Sequence, residues 1–201
     1  MANTYLSRTP SSAGNRKTFT ISAWVKRSSI SSANNQIFTS GTFASTQMSQ
    51  IYFESDDTLN ISDYTSGQSK SFKVTTNRKF RDTSAWYNIV VMVSTIDNTT
   101  SDRVRIYVNG VRETSFLEAN YPSQNFDCAF NLNQIHTVGN RNGASQYFSG
   151  SMSHVNWIDG TAYDASSFGE TDSTTGEWKI KTSPSVTYGT NGFFILKDGN
   201  S

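Results

Sequence analysis

The stretch "DRVRIYVNGVRE", residues 102–113, constrains the fold more than any other part of the chain. Val104, Ile106 and Val108 alternate with Arg103, Arg105 and Tyr107, the period of a strand with one buried face. Asn109-Gly110 then interrupts the run, and alternation resumes through Val111 to Glu113. An Asn-Gly pair between alternating runs predicts a two-residue hairpin, because a type I′ turn needs φ > 0 at both central positions. The pattern places Val104, Ile106, Val108 and Val111 on the inner face of a two-sheet sandwich. Arg103, Arg105, Tyr107 and Arg112 fall on the other face, with Tyr107 and Arg112 opposed across the strands.

Similar runs recur along the chain. Residues 17–27 set Phe19, Ile21, Ala23 and Val25 against Thr18, Thr20, Ser22 and Trp24. Strands are predicted at 35–41, 50–55, 58–62, 70–76, 133–140, 146–160 and 191–198, with a turn at Asp56-Asp57. Residues 85–94 are apolar on both faces, as in a central strand. In 146–160, Met152, His154, Asn156 and Ile158 share one face, and Val155 and Trp157 point into the core from the other. Many short strands separated by turn residues indicate a sandwich or barrel. The one helical candidate is residues 164–170, where Asp164 could cap a single turn. The reading is one all-β domain over 1–201, an antiparallel two-sheet sandwich with at most one short helical turn and a polar excursion at 170–188.

Composition agrees and removes several function classes. Charged residues are 16% of the 201, against roughly 25% in an average globular chain, and aromatic residues are 13%. A formal net charge of +1 gives no electrostatic case for nucleic acid. The densest basic run, Arg78-Lys79-Phe80-Arg81 beside Lys70 and Lys73, reads as a solvated strand edge that discourages edge pairing. Cys128 is the single cysteine, so no intrachain disulfide can form, which fits a reducing cytoplasm. Flanked by apolar residues, it reads as a small core filler. The start "MANTYLSRTPSS" has no basic segment leading into an apolar run, so no classical signal peptide is expected. No apolar stretch approaches the roughly 18 residues of a membrane span. The glycosylation sequons at Asn60 and Asn98 read as chance in a chain this rich in Asn, Ser and Thr.

Three blocks resemble laminin-G-like, concanavalin A-type lectin/glucanase domains: "FTISAWVKR" (19–27), "WYNIVVMVSTIDNTTSDRVRIYVNGVRETSF" (86–116) and "YFSGSMSHVNWIDGTAYDASSF" (147–168). A narrower likeness lies in "YLSRTPSSAGNRKTFTISAWVKR" (5–27), "WIDGTAYDASSFGETDSTTGEWKIK" (157–181) and "YGTNGFFILKDGNS" (188–201). These segments resemble laminin-G-like parts of structural proteins of marine tailed phages. The resemblance implies a jelly-roll sandwich on a virion surface, in a tail fibre or decoration, made in the bacterial host cytoplasm. It also implies partners among other virion chains, a homo-oligomer in the particle, and attachment to host surface glycan. Both flanks are shorter than in those proteins, which fits either an excised module or a compact relative.

Catalysis is not expected. Glycosidases need two carboxylates, about 5 Å apart when retaining, and the glucanase branch of the resembled family sets them on one strand as Glu-x-Asp-x-x-Glu. None of Glu54, Glu113, Glu118, Glu170 and Glu177 stands in that pattern. Glu54-Ser-Asp56-Asp57 is the nearest cluster and sits at a turn, where Asp is common. His136 and His154 lie in alternating strands without a Gly-x-Ser-x-Gly elbow, and no His/Cys set has zinc spacing.

Three readings follow: a non-enzymatic virion surface module that adheres to host glycan, a purely structural virion subunit, and a polysaccharide-cleaving hydrolase. No cofactor is expected; calcium stays open because relatives of the resembled family place it beside the ligand. Oxygen ligands could come from Asp127, Asn131 and Asp159, with Asn140, Asn142 and Asp164 as further candidates. Sugar sites combine an aromatic platform with amide, carboxylate or guanidinium groups. Asn140, Arg141, Asn142 and Tyr147, in the loop "GNRNGASQYF" (139–148), offer such a set. Trp178 stands in the polar excursion and either anchors it or faces a partner chain.

Overall fold

In a computed structural model, described for residues 4–31, 35–42, 46–66, 68–142 and 146–197, the chain forms two packed antiparallel sheets. The larger has seven strands in the order β1-β11-β3-β4-β5-β6-β10. These are β1 (Leu6–Arg8), β3 (Asn35–Ser40), β4 (Met48–Phe53), β5 (Thr58–Tyr64), β6 (Lys70–Lys79), β10 (Phe116–Asn120) and β11 (His136–Val138). The second has six, in the order β15-β12-β2-β7-β8-β9. They are β2 (Thr18–Arg27), β7 (Tyr87–Ser94), β8 (Val104–Val108), β9 (Val111–Arg112), β12 (Gly150–Asp159) and β15 (Phe193–Ile195). A separate ribbon pairs β13 (Gly169–Thr171) with β14 (Trp178–Ile180).

The two inner faces meet where the alternation predicts. Phe19, Ile21, Ala23 and Val25 pack with Ile89, Val91, Val93, Val104, Ile106, Val108, Val155 and Trp157 from the six-stranded sheet. Opposite them stand Ile51, Phe53, Leu59, Ile61, Phe72 and Val74. Cys128 is fully buried in this core, which pushes its thiol pKa well up. Asn109 (φ 48) and Gly110 (φ 81) make the hairpin turn, and Tyr107 opposes Arg112. The predicted cap also forms: the Asp164 carboxylate accepts the Ser166 N–H at 3.0 Å and starts a one-turn 3-10 helix over Ala165–Ser167. Thr100–Asp102 adds a second such turn.

The doubly apolar β7 has its explanation in the chain after β12. On its outer side Val90 packs with Ile158, Ala165 and Phe168 beneath Tyr107, Tyr163, Trp178, Val186 and Tyr188. The 170–188 segment thus lies over the six-stranded sheet, and its first part forms the β13–β14 ribbon.

Three expectations are corrected. Val111 is 63% exposed, because β9 is a two-residue edge strand outside the core cluster. β6 is not an edge: it lies between β5 and β10, and Lys79, Arg78 and Arg81 pair with Asp56, Glu113 and Asp57. Third, β12 is bulged. Its register against β2 shifts between Ser153 and Asn156, with His154 at φ 48. The extra residue flips the face, so Met152 packs on the inner core beside Val155 and Trp157.

Candidate functional site

Alternation puts the polar residues of the seven-stranded sheet on its outer face, where they bond to each other. Gln36 Nε2 donates to Gln50 Oε1 at 3.2 Å, Gln50 Nε2 to the Ser62 hydroxyl at 3.3 Å, and Thr39 Oγ1 to Gln36 Oε1 at 3.0 Å. Beside them the Asn60 amide donates to Thr75 Oγ1 at 2.9 Å, while the buried Asn60 Oδ1 has no hydrogen-bond partner. An acceptor in that state is costly unless something supplies a donor.

At one end of this face the Tyr52 hydroxyl donates to Glu54 Oε1 at 3.0 Å. Lys73 Nζ bridges Glu54 at 2.9 Å and Glu118 at 3.6 Å, and Lys70 reaches Glu118 at 2.7 Å. Burial and then the Glu54 charge push the Tyr52 phenol far above its usual range, so it remains a neutral donor. Burial opposes the charge on Lys73, but Glu54 and Glu118 outweigh it and raise its pKa. Burial likewise favours neutral Glu118, but Lys70 and Lys73 hold its carboxyl below the usual range.

The loop after β11 closes over the same face. Gly139 (φ 89) turns the chain, its carbonyl accepts the Phe148 N–H at 2.7 Å, and Thr137 Oγ1 donates to the Asn140 carbonyl. Gln146 Oε1 accepts from Gln36 Nε2 at 3.1 Å, tying the far limb of the loop to the sheet. Arg141 is half-buried and close enough to Tyr52 for its charge to act on the phenol. Loop rim and sheet face are therefore one surface. Asn142 (φ 60) occupies the turn, half-buried. The Asn140 side chain is buried. Tyr147 pairs with Tyr5 at 6.2 Å between ring centroids. Residues 143–145 of the loop lie outside the described residues.

Trp178 does not join this group. It lies on the outer side of the other sheet, where Nε1 donates to Asn88 Oδ1 at 3.0 Å and the ring covers Gly110 and Gly169. It anchors the excursion, and the Asn-Gly turn is its seat: a Cβ on Gly110 would stand 2.5 Å from the indole. Gly110→Ala combines that clash with a left-handed backbone, and should cost about 1–3 kcal/mol. Thermal melting would show the loss, and tryptophan fluorescence would show whether the indole is displaced.

The calcium candidates fall into two places. Asn131 and Asp159 are neighbours, but Asn131 turns its Nδ2 donor to Asp159 Oδ1 at 2.9 Å. Asp159 also accepts the N–H groups of Asn15 at 2.7 Å and Asn191 at 3.1 Å. Donors that point at a carboxylate occupy the position a cation would need, so this is a structural latch between four chain segments. Asp127 belongs elsewhere, its carbonyl accepting from Arg16 and Gln47. Among the described residues no group of three or more His, Cys, Asp or Glu is arranged to hold a metal. Burial lowers the His136 pKa to about 4, and its Nε2 accepts the Asn131 N–H at 3.1 Å. Among the described residues no helix is long and apolar enough to cross a membrane.

Sequence reading missed most of the polar face. Gln36, Tyr52, Asn60 and Lys73 sit on the polar side of their strands, a position the alternation does reveal. Which sheet they share, and which loop crosses them, depends on pairings between distant segments.

Comparison with known proteins places this architecture. No curated protein matches the sequence. Among solved structures, domain 4 of an extracellular arabinanase from Geobacillus stearothermophilus, solved with arabinotriose, matches at 18% identity and TM-score 0.53. That match covers 74% of this chain and 64% of the other. The carbohydrate-binding module of a Ruminococcus gnavus sialidase, bound to α2,3-sialyllactose, matches at 14% identity and TM-score 0.50, covering 73% and 87%. The enzymatically active domain of tailspike protein 2 from bacteriophage CBA120 matches at 13% and TM-score 0.53. There the alignment spans 81% of this chain but 25% of the tailspike chain. At these identities the likeness is one of fold. The family model described as Laminin_G_3, concanavalin A-like lectin/glucanases superfamily, matches residues 2–166. With its two antiparallel sheets, the chain belongs to the concanavalin A-like lectin/glucanase superfamily.

Proposed function

We propose that the protein is a non-catalytic carbohydrate-binding module on the surface of a phage particle, of tail-fibre or decoration type, which attaches to host surface glycan. The observation that carries the reading is the polar face of the seven-stranded sheet beneath the loop from Gly139. Its amides and hydroxyls, Asn60 among them, form a buried and mutually bonded layer, and the groups a ligand can reach lie at its rim: half-buried Arg141 and Asn142 of the loop, and Lys73 with Glu54 at the sheet end. A hydroxyl-rich ligand can answer both the donors and the acceptors of that rim, which apolar or polyanionic partners cannot. Carbohydrate-bound proteins of the same fold, and a phage tailspike that shares it, support the assignment. Assembly with further copies and other virion chains fits the same role.

Glu54 and Glu118 weigh on the hydrolase alternative. Both approach Lys73 Nζ, so their separation is within the roughly 10 Å that glycosidases use. A general acid needs a carboxyl raised towards neutrality, however, and Lys70 and Lys73 hold Glu118 low. The pair acts as a charge clamp on the lysine.

A glycan array with purified protein, with and without calcium, tests adhesion. Arg141→Ala should weaken the strongest hit about tenfold, the loss of one charge-assisted hydrogen bond. Failure to bind any glycan under both conditions overturns the proposal, and reducing-sugar release from a bound polysaccharide would replace it with the hydrolase.

A further inference from the structure

The opposite face of the molecule holds a feature that the polar surface does not use. Trp24 from β2, Trp86 just before β7 and Trp178 from β14 converge on one open cleft of about 330 Å³. Ser153 and His154, from the β12 bulge, with Lys179 and Ile180 from β14, also line it. Trp86 is 40% exposed, and Trp24 and Trp178 are half-buried. Neither Trp24 nor Trp86 belongs to an apolar core cluster. Trp24 Nε1 is buried without a hydrogen-bond partner.

We propose that this cleft is a second ligand site, which takes a neutral sugar ring of a glycan chain. Indole faces carry negative charge density, and the C–H face of a pyranose is their complement in shape and polarity. The cleft is of the size that encloses a small ligand, at the low end of the roughly 300–1,000 Å³ of such sites. Its rim supplies hydrogen bonding at the edge, where ring hydroxyls project: the Ser153 hydroxyl, bonded to His154 Nδ1 at 2.7 Å and donating to the Leu196 carbonyl at 3.3 Å.

Charge selects the class. The Lys179 ammonium is held by Glu170 at 3.3 Å and Asp172 at 3.4 Å, so the one lysine or arginine lining the cleft among the described residues is already paired. An acidic sugar gains nothing there, and a neutral one loses nothing.

The walls are built to stay in place. Trp178 is fixed by its bond to Asn88 and by the close approach of Gly110 and Gly169. The bulge at His154, with its positive φ, places Ser153 and His154 beside Trp24. Such a site stands apart from the polar face, so one domain could hold a glycan chain on each sheet.

Intrinsic tryptophan fluorescence of the full chain, titrated with cellohexaose, maltohexaose, mannohexaose and β-1,4-galactotetraose, tests the proposal. At least one of these should shift the emission at or below about 10 mM, which covers weak millimolar sites. Trp86→Ala should weaken that binding at least about tenfold, the effect of removing a central aromatic contact. Arg141→Ala should leave it unchanged. Should Trp86→Ala misfold by circular dichroism, protection of the wild-type indoles from acrylamide quenching by the same sugar gives the answer. No emission shift with any of the four, or an equal affinity in Trp86→Ala, overturns the site. A concentration-dependent shift without sugar assigns the cleft to a second copy of the chain and equally overturns it. Loss of array binding in Arg141→Ala alongside a silent cleft keeps the polar-face reading and refutes only this one.

Discussion

Replacing Asp57 by alanine should destabilise the protein by about 3–5 kcal/mol, the cost of stranding a buried partner charge. For a chain of this length that corresponds to a fall in Tm of roughly 10 °C. The Arg27 and Asp57 side chains are both fully buried and lie 3.0 Å apart. Arg27 Nη1 also donates to the Phe80 carbonyl at 2.6 Å, and its guanidinium sits 4.7 Å above the Phe53 ring. Asp57 in turn accepts from the Ser31 N–H at 2.7 Å and from Arg81 at 3.0 Å. Without the carboxylate, Arg27 remains ionised in the core with one hydrogen bond and a ring face for company. Arg81, more than half exposed, can turn to water.

The same pair sets a pH dependence with a definite sign. Burial favours the neutral Asp57 acid, but the Ser31 N–H, Arg81 and Arg27 outweigh it and lower its pKa from 3.8. A carboxyl held lower in the folded than in the unfolded state adds stability that is complete above the unfolded value. That stability is lost as pH falls through the folded one. Wild type should therefore lose stability below about pH 4, and Asp57→Ala should lose less across that window. Chemical denaturation at neutral and acid pH checks both. A double replacement, Arg27→Met with Asp57→Asn, should recover most of the loss, because it removes both charges and Asn tolerates the left-handed backbone at this position.

Trp157→Ala should cost about as much, 3–5 kcal/mol for a large aromatic cut from a packed core. Trp157 is 2% exposed, and its ring centroid lies 5.0 Å from Phe38, 5.2 Å from Phe19 and 5.6 Å from Phe130. It joins the two sheets through these rings. Its Nε1 also donates to Asn131 Oδ1 at 3.2 Å, so truncation leaves an unpaired acceptor beside the Asp159 latch. Urea unfolding measures the loss; a change below about 1 kcal/mol would show that the core closes over the gap.

Much of the scaffold is legible from residue order. Trp157, Val155 and the inner faces of β2, β7 and β8 sit where alternation puts them, Cys128 fills the core as its apolar flanks predict, and Asn109-Gly110 turns with both φ values positive. Asp164 caps its turn because an Asx cap involves residues only two positions apart. Val111 shows the limit. Its place in the alternation points it inward, yet it stands on an edge strand outside the core. Met152 fails differently: the bulge at His154 consumes one residue and reverses every face before it, and no local signal marks the insertion.

The candidate sites were less legible than the scaffold. Arg141 and Asn142 emerge from loop composition, but Tyr52, the neighbour of Arg141, lies some ninety positions away. Trp178 draws notice as an aromatic in a polar segment, whereas Trp24 and Trp86 look like ordinary members of strand runs. Asp57 reads as a turn residue, and it does occupy a turn, with φ 73. Nothing near it in sequence announces that Arg27 is its partner.

Alternation, turn pairs and caps are set by residues a few positions apart, so the chain alone determined its all-β class, its principal hairpin and the strand faces wherever no bulge or edge intervenes. Partner choice is set by sheet order and by what covers each sheet. The tertiary structure alone decided that Asp57 neutralises Arg27, that the Gly139 loop crosses the polar face, and that three tryptophans share one cleft. The physical reason is range: backbone geometry acts locally, whereas ion pairs, packing and binding clefts form between segments joined only by the fold.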